Sequence, residues 1–132
     1  MTLSAKEAAA KAGKGDGVIG WALDDDQRAE LLQQFPPKFS DAVADHVTLA
    51  AKARRDAELP CERLGEIVGR VDDGEGVETL VVSIDGSTYH ITWSLEKARG
   101  RKAKESNEVI ARLGWTPIDL PMPVKLVPRR WP

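Results

Sequence analysis

The chain has two histidines, and both stand in the same four-residue phrase, His46-Val47-Thr48-Leu49 and His90-Ile91-Thr92-Trp93. Alternate side chains of a β-strand point to opposite faces. On a strand, each phrase therefore sets an imidazole beside a hydroxyl and turns its apolar pair toward a core. Imidazole titrates near pH 6.5, so around neutrality one copy can be neutral while the other is protonated. Two such rings facing one another supply a general base and a general acid, and the two hydroxyls supply donors to a phosphate held between them. A threonine by itself is a β-branched residue suited to strands, and a single histidine two places before one would mean little. Repetition at both histidines favours a paired device over two unrelated strand histidines in a half-buried sheet.

In-line displacement at phosphorus needs that division of labour, because nucleophile and leaving group lie on opposite sides of the phosphorus atom. A five-membered cyclic phosphate, such as the 2′,3′-cyclic end left when RNA is cut, opens under three conditions. A base activates water, an acid protonates the departing sugar oxygen, and donors meet the charge growing on the remaining oxygens. The catalytic candidates are His46, Thr48, His90 and Thr92. Lys97, Arg99, Arg101, Lys102 and Lys104 follow the second phrase closely enough to contact flanking phosphates. From this stretch Lys102 and Lys104, together with Ser106, are the substrate-binding candidates. Ser106 with Asn107 is also a candidate cap for a helix whose N-terminus would face an anion. Two histidines and one cysteine offer neither HExxH nor CxxC spacing. No metal and no other cofactor is expected.

Composition bounds the rest. A length of 132 residues suits one domain with one core. The apolar share of 42% and charged share of 30% are those of a soluble globular protein. No apolar run is long enough to span a bilayer, and Met1 to Lys14 lacks the apolar stretch of a secretory leader. A single cysteine, Cys61, forms no internal disulfide, so a reducing cytoplasm is the expected compartment. The net charge of −2 argues against a general nucleic-acid coat but leaves room for a local basic patch.

The elements that must hold the two phrases can be read in order. Residues 1–16 are polar and Ala/Lys-rich, then glycine-punctuated, and read as a mobile tail; residues 17–132 read as the single domain. Val18 to Leu23 reads as a strand, with Trp21 in the core. Asp24-Asp25-Asp26 caps a helix that Pro36-Pro37 ends. The first motif strand follows from about His46 to Ala50, then a charged loop over 51–63 that contains Cys61. Gly65 to Val71 and Val77 to Ile84 read as a hairpin joined by an acidic, glycine-containing loop. Asp85-Gly86-Ser87 turns into the second motif strand, about Thr88 to Leu95, with Trp93 on its core face and Tyr89 turned away from the catalytic side. A short helix from Ser106 stops at Gly114. The proline-bearing tail from Trp115 should form only an edge strand or an imperfect closure. The expected fold class is α+β, compact, with a largely antiparallel sheet, two helices and pseudo-two-fold halves around a central cleft.

The two H-x-T phrases resemble the paired motifs of the two-histidine (2H) phosphoesterase superfamily. Within it, the chain is similar to compact relatives of the cyclic-phosphodiesterase domain of plant and fungal tRNA ligases. The phrases behind that resemblance are Gly20-Trp21-Ala22-Leu23, Phe35-Pro36-Pro37, Asp45 through Leu49, Tyr89 through Ser94, and Glu105-Ser106-Asn107. The resemblance implies a 2H phosphoesterase-like fold and metal-independent opening of 2′,3′-cyclic, 2′–5′ or cyclic oligonucleotide phosphodiesters, with RNA ends or small nucleotides as substrate. It carries His46, Thr48, His90 and Thr92 into the catalytic role. The two motifs stand closer in the chain than in larger ligase-like members, which implies reduced outer lobes and argues against tRNA-sized substrates. The alternative is a non-catalytic module that binds RNA ends or nucleotides in the same cleft.

Overall fold

The computed structural model describes residues 3–131. Its elements run α1 (Ala5–Ala10), β1 (Gly17–Leu23), α2 (Asp25–Gln34), β2 (Asp41–Ala42), β3 (His46–Ala53), β4 (Leu64–Asp72), β5 (Val77–Ile84), β6 (Ser87–Leu95), α3 (Ser106–Leu113) and β7 (Thr116–Trp131), with two short 3₁₀ turns between β6 and α3. Local chemistry accounts for several boundaries. The Asp24 carboxylate accepts the Gln27 N–H at 3.0 Å and caps α2, whose first turn carries Asp25 and Asp26. Asp85 and Gly86 both have positive φ, 50° and 77°, as a two-residue hairpin turn of matching twist requires. That turn returns β5 as β6, with Ile84 opposite Ser87.

The fold is α+β: seven antiparallel strands form one sheet, in the order β2-β6-β5-β4-β7-β1-β3, curled into a half-barrel. The two edge strands of that order, β2 and β3, are consecutive in the chain and joined only by Val43-Ala44-Asp45. The sheet must therefore bend until its edges meet. Val43 and Ala44 prolong the β2 ladder, donating their N–H groups to the carbonyls of Trp93 at 2.9 Å and Thr92 at 3.0 Å. At Ala44 the chain turns away with φ 42°, and from His46 onward it pairs with β1. A side chain other than glycine in that region is strained. Arg28 of α2 holds the bend, donating from Nε to the Ala44 carbonyl at 2.8 Å and from Nη2 to the Val43 carbonyl at 3.0 Å.

One core fills the curl. Trp21, Val47, Ile67, Leu80, Ile91, Trp93 and Leu126 are all buried in the same cluster. Each central indole donates to a backbone carbonyl, Trp21 to Glu62 at 2.9 Å and Trp93 to Phe35 at 2.7 Å, so neither buries an unpaired N–H. Beside β3, β1 must carry glycine at position 20, because a Cβ there would lie 2.1 Å from the Val47 carbonyl oxygen.

Two expectations are corrected. Within residues 1–16, read as a mobile tail, α1 is an ordered third helix. Ser4 and Glu7 form a reciprocal capping box, and Ala5 donates its N–H to the Glu62 carboxylate at 3.0 Å. The small side chains of Ala8 and Ala12, with Leu3, then approach the sheet closely enough to bury against Ile19, Ala53 and Ala57. The proline-bearing tail is not confined to an edge either, since β7 lies between β4 and β1. Its first part, through Lys125, pairs with β4, and Leu126 to Trp131 pairs with β1. Each part thus has one paired side, which is how an interior strand tolerates Pro117, Pro123 and Pro128. Among the described residues, no helix is long and apolar enough to cross a membrane.

Candidate active site

Alternation sets the site. Val47 and Ile91 are fully buried on the core side of β3 and β6, so His46 with Thr48 and His90 with Thr92 point to the opposite face. Tyr89 shares the core side and packs edge-on against Trp21 with ring centroids 5.7 Å apart. The two motif strands come together where the sheet edges meet. Val43 and Ala44 bond to Trp93 and Thr92 of β6 just before β3 begins, which brings the His46 end of β3 beside β6. All four motif side chains line one cleft of about 270 Å³, with Lys104 and Asn107 on its rim. A larger hollow of about 710 Å³ beside Trp115 contains neither histidine. Its cations are engaged, Lys38 with Asp72 at 2.7 Å and Arg70 with the buried Glu78 at 3.2 Å.

The two imidazoles have different surroundings. His46 is half-exposed, and its Nδ1 lies 3.1 Å from the Asp45 carboxylate. A surface pair of this kind contributes little energy, but it directs the ring, leaving Nε2 for the cleft. His90 is more enclosed. Burial, reinforced by the nearby His46 ring, holds its pKa below the usual imidazole value, which favours the neutral form of His90.

Thr92 is anchored from behind. Thr79 donates its hydroxyl to Ser106 Oγ at 2.9 Å, and Ser106 Oγ lies 2.8 Å from Thr92 Oγ1. Either hydroxyl of the Ser106–Thr92 pair can be the donor, and Ser106 donates when the Thr92 proton is engaged elsewhere. The Thr92 proton is then directed to the Ala103 carbonyl, a long contact of 3.3 Å, or to a ligand in the cleft.

This arrangement corrects the reading of Ser106 as a substrate-binding residue. Ser106 is fully buried beneath Thr92 and does not reach the cleft, so its role is to position Thr92. Nor does it cap α3, whose N-cap is Glu105 without a side-chain bond. Lys102 is exposed away from the cleft, and its backbone N–H goes to the Glu105 carboxylate at 3.2 Å. Arg99 and Arg101 are occupied by ion pairs, Arg99 with Glu96, and Arg101 with Asp73 and Glu105. Of the five cations after the second motif, Lys104 lines the cleft.

The sequence did not place Asp45, Asn107 or Trp131 among the catalytic or substrate-binding candidates. Asp45 had a signal, as the carboxylate directly preceding a histidine. Trp131 had none, because its ring reaches the His46 ring, 5.2 Å between centroids, only through strand pairing across β1. Comparison of the chain with protein-family models, with curated proteins and with solved structures found no match.

Proposed function

We propose that the protein is a metal-independent phosphodiesterase that opens 2′,3′-cyclic phosphates, or related 2′–5′ and cyclic oligonucleotide bonds, by two-histidine acid–base catalysis. The observation that carries this reading is the convergence of His46, Thr48, His90 and Thr92 on one cleft. A 2H phosphoesterase-like architecture is part of the proposal. Its support is the order β3-β1-β7 on one side and β6-β5-β4 on the other, each with an H-x-T strand outermost apart from the two-residue β2.

In the proposed reaction the phosphate sits between the rings. His90, neutral because it is enclosed, accepts a proton from water as the water oxygen bonds to phosphorus. The ring P–O bond breaks on the opposite side, and His46 gives its Nε2 proton to the departing ribose oxygen. Thr48, Thr92 and Lys104 donate hydrogen bonds to the non-bridging oxygens, where negative charge accumulates. The product is a phosphomonoester, after which His90 releases its gained proton to solvent and His46 takes one up.

The test is hydrolysis of nucleoside 2′,3′-cyclic phosphates, 2′–5′ dinucleotides and cyclic dinucleotides in the presence of EDTA. Replacing His46 or His90 by alanine should reduce kcat by at least about a hundredfold while the fold is retained. Binding of these compounds without turnover by the unaltered protein would instead identify a non-catalytic nucleotide-binding module.

A further inference from the structure

Beyond the two motifs, the same face of the sheet continues across β1 to β7. Directly opposed residues of antiparallel strands share a face. Ala22 lies between His46 and Val127, and Gly20 lies between Thr48 and Arg129. Trp131, opposite Val18, completes this face. The small residues at positions 20 and 22 leave a low floor, and the Trp131 ring reaches over it to within 5.2 Å of the His46 ring, inclined by 53°. Arg129 places its guanidinium carbon 5.9 Å from the centre of the same indole. Trp131 is only partly buried and belongs to none of the core clusters, so core packing does not account for it.

We propose that Trp131, backed by Arg129, is the stacking platform for the base of the nucleotide whose phosphate lies between His46 and His90. The proposal rests on the two-histidine reading for where the phosphate sits, and it adds which residues hold the base of the nucleotide. The indole sets an aromatic face directly beside the imidazole that would flank the phosphate. Every base has a π-face, so such a platform favours nucleotides over base-free phosphates with little choice among sequences. Arg129, stacked on the indole, presents a cation to the next phosphate along the strand.

The experiment compares adenosine 2′,3′-cyclic phosphate with the base-free glycerol 1,2-cyclic phosphate, in the unaltered protein, Trp131→Ala and Trp131→Phe. Trp131→Ala should lower kcat/KM for the nucleotide between about five- and a hundredfold. It should leave the base-free substrate within about twofold, and Trp131→Phe should recover most of the loss. An equal fall on both substrates would mean that Trp131 only supports His46, and would overturn the platform. In a second arm, adenosine 2′- and 3′-monophosphate are titrated onto the same three proteins at equilibrium, which does not depend on turnover. Weaker binding by Trp131→Ala supports the platform even if the protein hydrolyses neither cyclic phosphate, the result that would sink the enzyme reading alone. Equal binding by both proteins overturns the platform and spares the enzyme reading, and no binding by any of them overturns the platform.

Discussion

His46 and His90 stand in the same H-x-T motif but in different environments, and the difference is measurable. His90 is depressed chiefly because burial disfavours the imidazolium, and secondarily because His46 is close. By NMR its titration midpoint should fall below pH 6.5, and His46→Ala should move it upward without fully restoring the ordinary value. A wild-type midpoint at or above 6.5 would contradict the burial. Because the folded value lies below the unfolded one, the unfolded chain binds the proton first as pH drops. The contribution of His90 to stability is therefore complete above about pH 6.5 and is lost as pH falls through the folded midpoint. A base must be neutral to act, so the acid limb of kcat/KM should also lie below pH 6.5.

Between residues and fold stands the bend at Val43-Ala44-Asp45, which takes the chain from the ladder of β6 to that of β1. Among the described residues, Arg28 is the only side chain bonding the Val43 and Ala44 carbonyls. A planar guanidinium can serve both acceptors at once, whereas an ammonium offers no fixed fork. Arg28→Ala should cost about 1–3 kcal/mol by leaving two carbonyls of a partly buried bend without a side-chain partner, and Arg28→Lys should recover only part of it. Denaturant midpoints at unchanged m-value give the measurement. A variant within about 0.5 kcal/mol of the parent would show that water satisfies the bend and that Arg28 does not hold it.

At the scale of the molecule, the two sides of the half-barrel share one core. Trp21 from β1 and Trp93 from β6 are buried in the same cluster, and β7 passes from one side to the other at Leu126. Unfolding should therefore be a single transition, with indole fluorescence and far-UV circular dichroism coinciding. Leu126→Ala should lower stability by about 2–5 kcal/mol without separating the two probes. Transitions that part company would mean that the sides fold independently, and that the alignment of the motif strands does not depend on the common core.

Much of this was legible in the chain itself, wherever the controlling physics is local. Alternation in His46-Val47-Thr48 and His90-Ile91-Thr92 decided which side chains face away from the core. Asp24 began α2, Asp85-Gly86 made the hairpin turn, and Gly114 ended α3, each through backbone chemistry within a few residues. Position across the sheet was not legible in the same way. Ser106 looks like an exposed cap until β5 and β6 draw its hydroxyl between Thr79 and Thr92. Lys102 and Lys104 are near neighbours in a basic run, yet only Lys104 meets the cleft. Ala5, Ala8 and Ala12 read as a polar tail until a surface of matching shape receives them. Trp131 comes to His46 from the far end of the chain. Local sequence determines conformation and facing through short-range sterics and hydrogen bonds, but which distant groups share a cleft follows from how the whole sheet curls to bury one core.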